Sequence, residues 1–130
     1  MRITANDART YWAHHSQQEK SAIMPDDLPD SDDFQYWARD GVCGVFHRLP
    51  WPDVWMAHYG VKPEAWGRTT KPARAVINEF WEAEQPALLT GWTLETNRAA
   101  LSFARRIGFT EIGRMNLESG AVIMQEYRQC

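Results

Sequence analysis

Three groups of residues could carry chemistry. The first is the stretch Trp66-Gly67-Arg68-Thr69-Thr70-Lys71-Pro72. It follows an apolar β-like run and precedes a helical pattern, so a short polar loop feeds a helix start. Free N–H groups and the positive end of the helix dipole make such a start an anion site. Arg68, Lys71 and Arg74 add positive charge, Thr69 and Thr70 add hydroxyl donors, and Gly67 frees the backbone. A pyrophosphate suits that combination. A capped helix with solvated basic residues would look the same in sequence.

The second group lies on the preceding run, Val54 to Val61. Side chains alternate along a strand, so Met56 and His58 share one face and Tyr59 takes the other. An unperturbed imidazole titrates in the range useful to a general base. His58 is the side chain of this run most suited to proton transfer, ahead of Tyr59, and the family resemblance below implies its role as base. Glu95, at the end of the following strand, could reach the same cleft. The third group is Asn97 to Phe109, a capped amphipathic helix with Ala100, Phe103 and Ile107 on one face and Gly108 as its stop.

Other chemistries lack residues. Cys43 and Cys130 form neither a disulfide framework nor a metal-ligand spacing, and adjacent His14 and His15 point about 100° apart on a helix. There is no Gly-X-Ser-X-Gly elbow and no phosphate loop ending in Gly-Lys-Ser or Gly-Lys-Thr. The formal charge of −3 argues against nucleic acid and mildly favours a cationic acceptor. Five aspartates between Pro25 and Asp33 could form an acidic rim for such an acceptor, or simply a solvated loop. No run approaches the roughly 20 apolar residues of a membrane span, and the polar start lacks a signal-peptide core, so a cytoplasmic protein is expected.

The elements that must position these residues can be read in order. At 130 residues and 44% hydrophobic, the chain is expected to form one domain over residues 1–130. Arg2 to Thr4 reads as a short strand, followed by a helix capped by Asn6 or Asp7 that carries Ala8, Tyr11, Trp12 and His15. Prolines and aspartates from 25 to 33 exclude regular structure there. Phe34–Ala38 and Val42–His47 read as a hairpin about Asp40-Gly41. Val54–Val61 is a third strand, and a helix follows Pro72 and stops at Pro86. Ala87–Leu94 is a strand, Thr96 or Asn97 caps the next helix, and Phe109–Leu117 with Ala121–Tyr127 closes the chain as a hairpin. Antiparallel strands mixed with helix crossovers make the fold class α/β, or α+β by stricter usage. The seven Trp are read as core packing, with a ligand groove as the second use for some.

Asn97, Ala100 and Gly108-Phe109 match a late pattern of the GNAT acyltransferases: Asn, two residues, Ala, then Gly-Phe. Val61-Lys62-Pro63-Glu64 with Gly67-Arg68 resembles that family's strand end and coenzyme A loop. The resemblance covers roughly 50 residues by motif and the remainder by element order. It implies a mixed central sheet of about six to seven strands with helices on both faces. It implies acetyl-CoA as co-substrate, held by Val61, Gly67, Arg68, Thr69, Thr70, Lys71, Asn97 and Phe103, and an amine acceptor, either a protein or a small molecule. The amine attacks the thioester directly while a base, here His58, takes its proton. A cleft is expected between Ala57–Val61 and Leu88–Thr93, with strands splayed so that pantetheine can pair with backbone. A homodimer is compatible with the resemblance. Neither nucleic acid nor membrane is an expected partner.

The chain departs from the family pattern at five positions: Met56 where the base Glu would fall, Trp66, Thr69 and Lys71 in the loop, and Ala104 where many members carry a tyrosine acid. These departures support an alternative, a GNAT-like binding or structural protein with weak or no turnover. The stretches Gly44–His47 and Trp55–Val61 also resemble small GNAT-like proteins of bacteriophages, some of them virion-associated.

Overall fold

A tight turn sets the register of the first half of the sheet. Asp40 and Gly41 have φ of 48° and 85°, the paired left-handed conformation that a two-residue hairpin needs. The turn joins β2 (Phe34–Arg39) to β3 (Val42–Arg48). A Cβ on Gly41 would stand 2.7 Å from the Cβ of Ala65, so the turn must also stay bare where it packs. The computed structural model describes residues 1–14 and 25–128. His15 and Cys130 lie outside the described residues.

The sheet has seven strands in the order β1-β2-β3-β4-β5-β7-β6. The other strands are β1 (Arg2–Ile3), β4 (Val54–Val61), β5 (Leu88–Leu94), β6 (Phe109–Leu117) and β7 (Gly120–Tyr127). Every neighbouring pair is antiparallel except β4 and β5, which are parallel and joined through the long helix α2 (Thr70–Glu84). The expected mixed sheet is therefore present.

Two cores form on its two faces. Trp12, Leu28, Tyr36, Cys43 and Val45 pack on one face under α1 (Ala5–Arg9). Phe46, Trp55, Val76, Ile77, Phe80, Leu89, Ile107 and Phe109 pack on the other, under α2 and α3 (Arg98–Ile107). Phe46 and Phe80 stack with ring centroids 4.0 Å apart. Burying a side chain of that size contributes about 1.5–3 kcal/mol.

Helix α1 starts earlier than the sequence suggests. Its cap is Thr4, whose Oγ1 accepts from the Asp7 N–H at 3.2 Å, not Asn6 or Asp7. The helix ends at Arg9 and continues as one 3-10 turn, Thr10–Trp12. Trp12 then lies against Gly60, where a Cβ would meet the indole at 2.7 Å. The aspartate-rich stretch contains a short 3-10 turn, Pro25–Asp27, where no regular structure was expected. Trp12 and Trp55 are core residues, as the packing reading expects, whereas Trp51, Trp66 and Trp92 are at least half exposed.

Candidate active site

The ladder between β4 and β5 is short. It pairs Val54 with Leu88, Trp55 with Leu89 and Met56 with Thr90, and no further pair is formed among the described residues. Both strands continue, to Val61 and Leu94. Their outer edges stay paired, β4 to β3 and β5 to β7. Beyond Met56 and Thr90 the two strands therefore present backbone donors and acceptors to the space between them. An extended ligand bearing amides can complete such edges. The space is a cleft of about 990 Å³, lined by β4, β5, β7 and α3.

Of the predicted cofactor residues, Val61, Gly67, Thr69, Asn97 and Phe103 line this cleft. Asn97 is the cap of α3, its Oδ1 accepting from the Ala100 N–H at 3.2 Å. Gly108 ends the helix with φ of 113°. Phe103 meets Tyr59 edge to face at 5.5 Å, which places Tyr59 on the α2–α3 side, opposite His58.

Arg68, Thr70 and Lys71 line a second cavity of about 780 Å³, which shares Gly67 and Thr69 with the first. Gly67 has φ of 83° and open space where a Cβ would stand. Thr69 precedes α2 without a side-chain capping bond. The first-turn N–H groups of a 15-residue helix thus meet the cavity alongside the cations. Arg106, from the far end of α3, also lines it, whereas Arg74 does not. The Arg68 guanidinium is steadied by the Glu64 carbonyl at 2.9 Å. Asp40 and Glu64 reach the rim and temper the positive field.

His58 sits on the α1 side of the cleft, and the structure adds a partner that the sequence did not announce. Its Nε2 is 3.0 Å from the Nε2 of His47 on β3. The imidazoles stack at 5.1 Å and 10°, and His47 stacks in turn on Phe34 at 5.1 Å. One of the two nitrogens must donate and the other accept, so at most one ring carries an extra proton. Burial, and after it the neighbouring His47, pushes the His58 pKa down to about 4. Burial also lowers His47, partly offset by the Arg48 main chain. The expectation of an unperturbed histidine is therefore corrected. His58 is neutral at neutral pH and accepts a proton only weakly.

Glu95 is not brought to this cleft. It lies past the end of β5, ion-paired with Arg114 on β6 and substantially exposed. None of the aspartates from 26 to 33 lines the cleft either; Asp33 lies 3.8 Å from Arg48. Among the described residues no cluster of His, Cys, Asp or Glu could hold a metal ion. No described helix is long and apolar enough to cross a membrane.

Sequence reasoning missed His47, Arg106 and Gln125. A signal existed for the first. A hairpin centred on Trp51-Pro52 sets residue 47 opposite 56, one pleat from 58. Arg106 and Gln125 reach the site only through tertiary packing.

The fold recurs in solved acetyltransferases. A ribosomal-protein-S5-alanine acetyltransferase from Vibrio fischeri aligns over 97% of this chain and 90% of its own, with a TM-score of 0.70 at 13% identity. AAC(6')-Ib, in complex with paromomycin and acetyl-CoA, aligns over 98% and 90%, with a TM-score of 0.72 at 12% identity. A spermidine N-acetyltransferase variant from Vibrio cholerae aligns over 98% and 92%, with a TM-score of 0.70 at 12% identity. The fold is that of these acetyltransferases. No protein-family model matches the sequence, and no curated protein matches it. The acetyltransferase fold thus persists here at identities of 12 to 13% to these three.

Proposed function

We propose that the protein is an acyl-CoA-dependent N-acyltransferase of the GNAT type, moving an acetyl group from acetyl-CoA to an amine. One observation carries the reading: the parallel β4–β5 ladder stops after three pairs, and the opened edges lead to a cationic helix start. Backbone edges suit the amides of pantetheine, and the mouth with Arg68, Lys71 and Arg106 suits its pyrophosphate. The fold shared with acetyltransferases supports the same choice of co-substrate.

In this reading a neutral amine nitrogen attacks the thioester carbonyl carbon. A C–N bond forms, the C–S bond breaks, and sulfur leaves with the electron pair. The amine proton passes to His58, directly or through water, and then to solvent. The His47 contact fixes the ring of His58 and one of its nitrogens, leaving the other for the reaction. The named neighbours are a ribosomal-protein-S5-alanine acetyltransferase, a protein solved with paromomycin and a spermidine N-acetyltransferase, so a peptide amine, an aminoglycoside and a polyamine are the acceptors to try first.

The test is titration calorimetry with acetyl-CoA, followed by a thiol-release assay with a peptide amine, a polyamine and an aminoglycoside. Saturable binding and amine-dependent thiol release are expected. No heat at millimolar acetyl-CoA would sink the reading. A second reading, binding without turnover, is favoured by the weak basicity of His58 and by Ala104. It predicts the same heat and no thiol release with any amine. The phage resemblance gains no support from the structural neighbours and plays no part in either reading.

A further inference from the structure

Gln125 lies at the centre of β7, paired across the sheet with Gly91 of β5 and Glu111 of β6. Its neighbours of the same parity, Ile123 and Tyr127, face the α2–α3 side, Tyr127 packing on Trp81 and Phe109. Gln125 therefore points under α3. It is 1% exposed. Its Oε1 accepts from the Thr93 hydroxyl at 3.2 Å, and its main-chain carbonyl accepts from the Thr90 hydroxyl at 2.7 Å. Its Nε2 has no hydrogen-bond partner among the described residues. A buried amide N–H without an acceptor is costly, and native proteins seldom leave one.

The residue lines the cleft, whose lining includes the apolar Gly91, Ala100, Phe103, Ala104 and Phe109 beside the hydroxyls of Tyr59 and Thr93. A few buried polar groups placed among apolar side chains are the usual way a pocket orients a ligand. Gly91 is the first β5 residue past the last β4 pair, so its partner Gln125 marks the closed end of the cleft. The cationic mouth lies at the other end, past Val61. An elongated molecule with its anionic end at that mouth places its opposite end beside Gln125.

We propose that the Gln125 side-chain N–H donates a hydrogen bond to the thioester group of the acyl donor and to the negative charge that develops on it. The inference rests on the acyltransferase reading of the same cleft. His58 attends the amine from the α1 side of the sheet, and Gln125 supports the acyl group from the α3 side. As the C–N bond forms and the C–S bond breaks, charge grows on the carbonyl oxygen and then on sulfur. Gln125 stabilises that charge while keeping both its protons. The proton lost by the amine leaves through His58.

The experiment compares wild type with Gln125→Leu and Gln125→Met. Methionine matches the length of glutamine and carries no N–H donor, so it carries the test if the leucine variant does not fold. Either variant is expected to lower kcat about tenfold or more, the effect of one hydrogen bond to developing charge. The acetyl-CoA KM is expected to change less than about twofold, because a donor used mainly at the transition state lowers kcat. Two spectroscopic arms separate the acceptor atoms. A shift in the carbonyl stretch of bound acetyl-CoA between wild type and variant places the bond on oxygen. A raised pKa of the bound coenzyme A thiol, read by thiolate absorbance, places it on sulfur. Binding with both spectra unchanged would overturn the inference alone. So would an equal loss of affinity for desulfo-coenzyme A, which has no thioester and would betray a merely structural role. If the wild-type protein binds no acetyl-CoA, the acyltransferase reading fails and this inference with it.

Discussion

The two ends of the cleft solve the problem of holding charge in opposite ways. At the mouth, Arg68, Lys71 and Arg106 gather around the open start of α2, where solvent keeps them charged. At the closed end, His58, His47 and Gln125 are set among apolar side chains, and the two histidines are pushed toward their neutral forms. A charge in water binds an anion from a distance but is screened by salt. A dipole fixed in a dry wall acts only at contact, and acts more strongly there. On the acyltransferase reading, the mouth captures and the closed end discriminates and reacts.

The largest test of that division is His58→Phe, which keeps the ring and the stack on His47 while removing the proton acceptor. A fall in kcat of about 100-fold is expected, the low end for a general base, because a pKa of about 4 makes His58 a weak one. The acetyl-CoA affinity should hold. The loss should persist from pH 6 to pH 9, since His58 stays neutral across that range. A variant with wild-type kcat would remove the closed end from the chemistry.

Reversing two charges at the mouth should produce a smaller loss of the other kind. Arg68→Glu with Lys71→Glu is expected to raise the Kd for acetyl-CoA about tenfold to thirtyfold at low salt, since exposed ionic contacts contribute about 1 kcal/mol each. Sodium chloride at 0.5 M should weaken wild-type binding and leave the variant nearly unchanged. An equal salt response in both proteins would mean that Arg106 and the helix start alone hold the anion.

The contrast also has a stability signature. The folded-state pKa of His58 lies below its unfolded value of about 6.5. The unfolded chain therefore binds the proton first on acidification. The stability that this histidine contributes is complete above pH 6.5 and is lost as the pH falls toward 4. Urea unfolding of wild type should show a loss on the order of 2–3 kcal/mol across that window beyond the loss from carboxylates. His58→Phe should flatten the curve there. The exposed cations at the mouth should leave it unaltered.

Legibility in the sequence follows the same divide. The hairpin at Asp40-Gly41, the Asn97 cap and the Gly108 stop are local devices, each visible as a residue type at a required backbone position. The sheet class followed from their order, and the β4–β5 opening was implied by the family resemblance. The mouth was half visible: Gly67 to Lys71 are contiguous, while Arg106 arrives on another helix. The closed end was the least visible. Whether a histidine titrates at 6.5 or near 4 depends on what buries it, and burial is a property of the packed sheet. Glu95 misled for the same reason, because its position at a strand end did not reveal the Arg114 that claims it. The capping of α1 shifted to Thr4 because a polar residue directly before the helix caps better than one inside its first turn.

Asn97 sits at the boundary of the two regions and gives the smallest expected effect. Its side chain satisfies the Ala100 N–H at the start of α3, and it also lines the cleft. Asn97→Ala removes a cap and should cost about 1 kcal/mol of stability, a fall in Tm of about 3–6 °C for a domain of this size. If Asn97 acts through the helix alone, Asn97→Ser, which can still cap, restores both Tm and acetyl-CoA affinity. If its amide also meets the cofactor, serine restores Tm and leaves affinity reduced. Thermal melts and calorimetry on the same two variants separate these outcomes, and with them decide whether the wall beside Gln125 begins at the cap of α3 or deeper in the helix.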